Sequence, residues 1–214
     1  MRRRLTDYHH VIWDWNGTLL NDRRLVLEIA NEMLARRGLA TMDEARYREI
    51  FDFPVVEYYR TAGFDLDAEP FAELADEFIG LYNHRVSECA LHVDVESVLT
   101  HLHHRGLGQS ILSAGRETDL RRFVAHYRLE GYFDEVRGLS DHYAVSKSEV
   151  GRRLVETLAV APDRVVMIGD TTHDYHVASE MGVDCILVAD GHQSLPRLQR
   201  TGAPVFRSLA ELTA

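Results

Sequence analysis

The sequence lacks the features that mark several large classes of protein. Its 214 residues include only two cysteines, Cys89 and Cys185, which form no CxxC motif. Two cysteines at this length do not make a disulfide scaffold, so we expect two buried, reduced thiols. No apolar run approaches the roughly 18 residues of a membrane-spanning helix. The sequence therefore predicts no membrane segment and a cytoplasmic protein.

Positive charge is also scarce. Lysine and arginine total 24 against 34 aspartates and glutamates, which gives a net charge of −10. A nucleic-acid-binding surface needs a basic patch or stripe, so we expect no nucleic acid as a partner. The 45% hydrophobic and 27% charged shares are those of an ordinary globular protein. No feature of the sequence fixes an oligomeric state.

Two patterns of secondary structure divide the chain. Over residues 21–88 apolar side chains recur at helical spacing, with no convincing strand, and Asn21 or Asp22 can cap the first helix. From about residue 93 helices alternate with short apolar strands, which predicts a parallel sheet with helices on both faces. The length allows a core with a smaller insertion. We therefore predict an α/β core over 1–20 and 89–214, and a small all-helical cap over 21–88.

The first chemical signal is an aspartate at the end of an apolar run. Residues 10–13 lead into Asp14, and Gly17 and Thr18 follow. Such runs are typical of buried parallel strands, and open α/β sheets bind ligands at the carboxyl ends of their strands. Asp14 could there hold a hard cation or attack phosphorus, while Gly17 lets main-chain N–H groups point at an anion. An ordinary aspartate-containing turn is the alternative.

Three further residues belong to the same predicted edge. Ser113 closes the next strand, Asp170 follows the strongest strand, and Lys147 opens a helix. Because the carboxyl ends of parallel strands meet at one edge, these side chains can converge on Asp14. Carboxylates, a hydroxyl and a lysine suit a pocket for Mg²⁺ and a phosphoryl group, since Mg²⁺ takes oxygen ligands.

Asp174 follows Asp170 by four residues, near a helix start. This spacing puts both carboxylates on one side of the turn, where they repel each other unless a cation or proton lies between them. The structural alternative is that Asp170 or Thr171 caps the helix and Asp174 is an exposed first-turn acid. Likewise, Ser113 could be an ordinary turn residue and Lys147 a solvated helix residue.

The order of these motifs resembles that of the haloacid dehalogenase-like (HAD) hydrolase superfamily. The matching segments are Asp14-Trp15-Asn16-Gly17-Thr18-Leu19, then Ser113, then Lys147, then Gly169-Asp170-x-x-x-Asp174. The helical stretch resembles the α-helical cap of phosphoglycolate phosphatase-like members, and the resemblance extends over about residues 8–190. It implies a Rossmann-like core and a Mg²⁺-dependent phosphatase acting on a small phosphorylated metabolite.

The resemblance also implies a role for each matching residue. Asp14 would be the nucleophile that forms an aspartyl-phosphate, and Lys147 would hold it and stabilise the pentacoordinate charge. Mg²⁺ would be held by Asp14, the main-chain carbonyl of Asn16 and Asp170, with Asp174 in direct or supporting contact. The phosphoryl oxygens would be bound by Thr18, Ser113, Ala114, Gly115 and Lys147.

One position departs from the family pattern. Phosphatases of this family usually carry a general acid/base aspartate two residues after the nucleophile, and here that residue is Asn16. An amide cannot protonate a leaving alkoxide, and such help is typically worth ~10²–10⁴-fold. The protein could be a slow phosphatase that favours easily expelled leaving groups, could use His173 or His176 as a substitute acid, or could bind a phosphorylated ligand without turnover. We favour a working phosphatase, since the nucleophile and metal acids remain.

Other function classes and residues stay open. A non-catalytic or regulatory phospho-ligand-binding protein is the main alternative, followed by a phosphomutase and a dehalogenase, although the Gly-Asp-x-x-x-Asp segment argues against the last. The loop 191–194, which contains His192, could line the site, but we favour a surface loop. Several aromatic residues could contact substrate through the cap: Trp13, Trp15, Tyr58, Tyr59 and Phe64, with Trp13 favoured as core.

Overall fold

The computed structural model describes residues 5–140 and 146–213, so parts of the predicted core segments 1–20 and 89–214 lie outside the described residues. Its strands are β1 (His10–Trp13), β2 (Leu20–Asn21), β3 (Ala90–Leu91), β4 (Gly108–Arg116), β5 (Glu135–Leu139), β6 (Val165–Gly169), β7 (Asp184–Val188) and β8 (Val205–Phe206). Its helices are α1 (Arg23–Arg36), α2 (Glu44–Ile50), α3 (Val55–Ala62), α4 (Phe71–Arg85), α5 (Val95–His104), α6 (Glu117–His126), α7 (Lys147–Thr157), α8 (Thr172–Met181) and α9 (Leu195–Gln199). Short 3₁₀ turns lie at Leu5–Asp7, Val86–Glu88, Glu130–Tyr132, Pro162–Arg164 and Leu209–Leu212.

Six of the strands form one parallel sheet in the order β5-β4-β1-β6-β7-β8. β1 lies between β4 and β6, and its last residue, Trp13, pairs with Ile111 on one side and Ile168 on the other. The carboxyl ends of β1 and β6 are therefore neighbours at one edge of the sheet. The alternating pattern that predicted a parallel α/β sheet is confirmed.

Different hydrophobic clusters cover the two faces of this sheet. Successive side chains of a strand point to opposite faces. Val11 and Trp13 pack in a cluster with α5 and α6, whereas Ile12 packs in a second cluster with α7 and α8. Every residue of β1 is buried, which explains its nearly unbroken apolar sequence. Helices thus flank both faces and leave the edge free for a site.

The helices α1 to α4 follow β1 without an intervening strand of the main sheet. The apolar side of α1 packs against α4, where Ile29, Met33 and Leu74 are fully buried. Asp43 caps α2 by accepting a hydrogen bond from the Arg46 N–H. The helical part of the predicted fold is therefore confirmed.

The prediction that residues 21–88 contain no strand is wrong at its boundary. Asn21 belongs to β2, which pairs antiparallel with β3. Strands of two residues are too short for an alternating pattern to be visible in a sequence. The chain thus enters and leaves the helical insertion through neighbouring strands. The division into a core and a cap at these residues stays a prediction.

Both cysteines are free thiols, and each is partly exposed rather than buried as expected. Cys185 lies on β7, and the last strand, β8, pairs only with Leu187 and Val188 of β7, so it does not flank the cysteine. Over residues 5–140 and 146–213, no helix is long and apolar enough to span a membrane.

Candidate active site

Three acids and one lysine meet at the carboxyl edge of the central strands. Asp14 follows β1 and Asp170 follows β6, while Lys147 and Asp174 lie in the first turns of α7 and α8. All four side chains are buried. The structure thus brings together the four residues that the sequence motifs singled out.

The Lys147 ammonium bridges two carboxylates. Its Nζ donates to Asp14 Oδ1 at 2.5 Å and to Asp174 Oδ1 at 2.7 Å. Ser146 caps α7 by accepting a hydrogen bond from the Glu149 N–H, which fixes where the helix begins. Lys147 is therefore a buried counter-charge, and its interpretation as a solvated helix residue is wrong.

The Thr18 hydroxyl lies between the two strand-end aspartates. Its Oγ1 is 3.0 Å from Asp170 Oδ1 and 3.3 Å from Asp14 Oδ2. The main-chain N–H of His192 donates to the other Asp170 oxygen at 2.6 Å. One carboxylate oxygen each from Asp14, Asp170 and Asp174 lies within 4.8 Å of the others, a spacing that suits a shared cation.

Asp174 combines a structural contact with a place in the acid cluster. Its Oδ2 accepts hydrogen bonds from the Asp170 N–H at 3.2 Å, the Thr171 N–H at 3.0 Å and the Thr171 hydroxyl at 2.7 Å. The Thr171 side chain in turn accepts from the Asp174 N–H, which completes a capping box. Thr171 is thus the helix cap, as one interpretation had it, but Asp174 is buried rather than exposed.

Burial changes the pKa of these groups. It raises the pKa of Asp14 to about 8 and that of Asp170 to about 6. Burial also opposes the charge on Asp174, but Lys147 outweighs it and holds the Asp174 pKa below its usual value. At Lys147 the attraction of the Asp14 and Asp174 carboxylates outweighs burial and raises the pKa of the lysine. The acids carry more negative charge than one lysine offsets, which favours a bound cation.

The turn after Asp14 requires glycine. Gly17 has a φ of +74°, and a Cβ at this position would overlap both the Asp170 carboxylate and the His192 ring. Conformation and space therefore both exclude a side chain. The Gly17 N–H donates to Asp22 Oδ1 at 2.9 Å, so this amide contacts a carboxylate rather than facing an anion-binding space.

A further buried carboxylate, Asp22, joins the turn to the cap helices. Its Oδ2 accepts from the Asn16 side-chain amide at 2.8 Å and from the Tyr82 hydroxyl at 2.7 Å, and its Oδ1 lies 3.2 Å from His192 Nε2. Burial opposes charge on Asp22 and on His192, but the attraction between these two side chains lowers the pKa of Asp22 and raises that of His192. The Tyr47 hydroxyl lies 2.7 Å from His192 Nδ1.

The sequence did not reveal this network. The sequence predicts only a helix-capping role for Asp22, yet Asp22 makes no side-chain cap hydrogen bond. The prediction of a surface loop around His192 is wrong, since His192 is only 4% exposed. The signal in the sequence is Gly191, the residue before His192. A Cβ at position 191 would overlap the Asp170 carboxylate, so this loop passes close to the site. Tyr47 and Tyr82 lie in helices where nothing in the sequence separates them from core residues.

The predicted phosphate-binding segment lies inside a strand. β4 runs past Ser113 to Arg116, and its pairing with β5 is irregular after Leu112. Ser113 and Ala114 line the cavity beside the acids. The Gly115 N–H donates to the Ser113 hydroxyl at 3.0 Å, and Gly115 lines a neighbouring pocket together with Trp15.

The two histidines considered as substitute acids differ in position. His173 lines the cavity and stacks on Phe53, with ring centroids 4.4 Å apart. Burial lowers the pKa of His173, and Lys147 lowers it further, so the neutral ring is favoured. His176 is exposed on α8 and does not line this cavity.

The acids form one wall of a cavity of about 220 Å³. Asp14, Lys147 and Asp170 contribute to the wall on the sheet side. The opposite wall is dominated by aromatic side chains from the cap helices and the loops beside them: Phe51, Phe53, Tyr58, Tyr59, Phe78 and Tyr82. A ligand here would meet charge on one side and rings on the other.

The parallel sheet and the acid cluster at its edge are those of an α/β enzyme. The model of the family described as haloacid dehalogenase-like hydrolase matches residues 11–188. The chain therefore belongs to this family, and the predicted resemblance is confirmed.

Several characterised proteins are similar to the chain over most of its length. A 5'-nucleotidase from Pseudomonas aeruginosa is 28% identical over 205 residues, which cover 93% of the chain and 90% of that protein. The tyrosine-protein kinase PtkA from Mycobacterium tuberculosis is 26% identical over 94% of the chain and 69% of its own length. A phosphoglycolate phosphatase from Synechococcus elongatus is 25% identical over 85% of the chain and 84% of that protein.

Solved structures share the same fold. A predicted phosphatase from Clostridium acetobutylicum superposes with a TM-score of 0.81 at 22% identity and covers 96% of each chain. A haloacid dehalogenase-like hydrolase from Streptococcus pneumoniae has a TM-score of 0.83 at 19% identity, covering 97% of this chain and 98% of that one. At these identities the likeness concerns the fold.

Proposed function

We propose that this protein is a Mg²⁺-dependent phosphatase that hydrolyses a small phosphorylated metabolite through an aspartyl-phosphate on Asp14. The family and the names of its relatives, which include phosphatases and a 5'-nucleotidase, support a phosphoric monoester hydrolase. The observation that carries the proposal is the position of Asp14. Its carboxylate lines the cavity, lies 2.5 Å from Lys147 and belongs to a cluster of three buried acids.

The side chains present fit a magnesium ion. Three buried carboxylates supply the hard oxygen donors that Mg²⁺ prefers. We assign direct contact to Asp14, Asp170 and the Asn16 carbonyl. Asp174 Oδ2 accepts three hydrogen bonds at the start of α8 and its Oδ1 accepts from Lys147, so we assign Asp174 a supporting role. When bound, the ion would neutralise the phosphate and stabilise charge in the transition state.

The residues of the chain would carry two displacements at phosphorus. An Asp14 carboxylate oxygen attacks the phosphoryl group, the bond to the leaving oxygen breaks, and the leaving group departs as an oxyanion that takes a proton from water. Water then attacks the aspartyl-phosphate, which releases inorganic phosphate and restores Asp14. Lys147 holds the nucleophile and offsets the developing negative charge, while Ser113 and Ala114 bind phosphoryl oxygens.

Two of the expected phosphate contacts are reassigned. Thr18 holds the carboxylates of Asp14 and Asp170 in place through its hydroxyl, so we assign it to the metal-binding side. The Gly115 amide is bonded to the Ser113 hydroxyl, so we infer that it orients Ser113 instead of binding phosphate directly.

Asn16 sets the expected substrate preference. Its side-chain amide donates to Asp22 and contacts the Tyr82 hydroxyl, so it holds the turn to the cap but cannot protonate a leaving alkoxide. We therefore expect slow turnover of alkyl phosphates and faster turnover of esters with stable leaving groups. Asn16 is also what favours the second candidate, a phospho-ligand-binding protein without turnover.

Release of inorganic phosphate from acetyl phosphate, with and without Mg²⁺, tests the proposal. We expect Mg²⁺-dependent release that a chelator abolishes, since acetate needs no protonation to depart. No release at any Mg²⁺ concentration, with methylphosphonate still bound, would instead support the binding protein. Release without any divalent cation would contradict the metal role.

A further inference from the structure

The aromatic wall of the cavity has no task in the proposed chemistry. Phe51, Phe53, Tyr58 and Phe78 line the cavity, yet they contact neither the nucleophile nor Lys147 through a polar group. Catalysis at phosphorus needs charge and hydrogen bonds, which the opposite wall supplies. The aromatic wall must therefore serve the part of the substrate that is not phosphate.

The rings of this wall pack on one another both edge-on and stacked. Phe51 meets Phe53 at 80° and Tyr58 at 66°, with ring centroids 5.7 Å and 5.3 Å apart. Phe53 stacks on His173 at 20°. Aromatic rings prefer offset-stacked and edge-to-face contacts, which contribute beyond simple burial. A planar aromatic ring bound beside this cluster can add contacts of the same kinds, whereas a saturated group can only fill the space.

The size of the cavity suits a ligand with one ring. Its volume is about 220 Å³. A dry cavity of about 150 Å³ holds benzene, and the remaining space suits a phosphoryl group. Sites for larger ligands occupy ~300–1,000 Å³, so one ring is the best match to this cavity.

We propose that the substrate is a phosphate ester of a single aromatic ring, with the ring bound by the aromatic wall. This inference rests on the proposed phosphatase function and names its substrate class. It also agrees with Asn16, since an aryl oxygen departs with less need of protonation than an alkoxide.

Binding of non-hydrolysable phosphonates to the Mg²⁺-loaded protein tests the ring without involving a leaving group. Calorimetry would compare phenylphosphonate with cyclohexylphosphonate, which is similarly apolar and similar in size, and with methylphosphonate. We expect phenylphosphonate to bind about tenfold tighter than cyclohexylphosphonate, because the saturated ring cannot make aromatic contacts with the wall. Equal affinities of the two ring compounds, or tighter binding of methylphosphonate or a nucleoside monophosphate, would overturn the proposal.

Phe78→Leu tests the wall itself. We expect the ratio of phenylphosphonate to cyclohexylphosphonate affinity to fall towards one, and Phe133→Leu, a partly buried residue on the core side, to retain the ratio. An unchanged ratio in Phe78→Leu would contradict the inference. Turnover of acetyl phosphate separates the two hypotheses, because it reports the phosphatase chemistry without any ring. If acetyl phosphate is hydrolysed but the ratio in the parent protein is one, only the substrate class fails.

Discussion

The two walls of the cavity differ in how their side chains are held. On the sheet side the carboxylates of Asp14, Asp170 and Asp174 are fixed by Lys147, Thr18 and main-chain amides. On the cap side the phenylalanine rings are held by packing, although the Tyr82 hydroxyl is also bonded to Asp22 and Asn16. Fixed charges suit a reaction at phosphorus, whereas packed rings suit recognition of a varied group. On the function we propose, chemistry and specificity therefore depend on different forces.

The sharpest test of this division is Asp14→Asn. We expect turnover of acetyl phosphate to fall by at least about 10⁴-fold, since no other group takes over the nucleophile. The fold should be kept, because the amide has the same shape and burial already disfavours the Asp14 charge. Phosphate release and thermal unfolding measure the two effects. Retained turnover would show that the sheet-side wall does not supply the nucleophile.

Asn16→Asp should restore the missing acid. The new carboxyl would face the Asp22 carboxylate, which keeps it protonated and able to donate to the leaving oxygen. We expect turnover of alkyl phosphates to rise by about 10²-fold and that of aryl phosphates by much less. Steady-state rates for ethyl and phenyl phosphate measure this. Asn31→Asp, at a half-buried position of α1 that bonds to the Met42 backbone, is the matched control. Equal gains on both substrates would contradict the leaving-group argument.

Mg²⁺ should stabilise the protein through the sheet-side acids alone. At about 100 times its dissociation constant, a ligand adds about 2.7 kcal/mol to the free energy of unfolding, or roughly 5–10 °C in Tm for a chain of this size. We expect Asp170→Asn to lose this shift in calorimetry, and Asp76→Asn, an exposed acid on α4, to keep it. A full shift in Asp170→Asn would place the ion elsewhere.

The smallest effect should come from the contact between Tyr47 and His192, which connects the cap side of the cavity to the sheet side. Tyr47→Phe removes the contact of the cap with His192, which we expect to cost about 1 kcal/mol of stability. Its KM should rise while kcat changes little, because the rings lose alignment but the acids do not. Tyr127→Phe, whose hydroxyl donates to the Cys89 carbonyl, should lose similar stability without the change in KM. Equal KM changes in both variants would contradict a role in alignment.

The sheet-side wall could be predicted from the sequence, because each of its residues follows a strand or opens a helix. The apolar runs before Asp14 and Asp170 located their strands, and parallel pairing then implied that both residues share an edge. The spacing between Asp170 and Asp174 fits either a first-turn acid of the helix or a buried acid of the site. The spacing alone does not show that Asp174 is both.

The cap-side wall could not be predicted in the same way. Tyr58 and Tyr82 lie in amphipathic helices, where an apolar position in the cavity and one in the core have the same spacing. Asp22 looked like a helix cap, because an acid before a helix is common there. Its contact with His192 joins distant parts of the chain, which no local pattern encodes.

The antiparallel ribbon of β2 and β3 has a consequence for how such a protein can change. Paired strands lie about 4.7–5.5 Å apart, so the segment between Asn21 and Ala90 begins and ends at almost the same point. Segments whose ends are close together are tolerated as insertions. A different bundle of helices could therefore be inserted between β2 and β3 without moving the strand-end aspartates. Such an enzyme would keep its reaction and accept a different substrate.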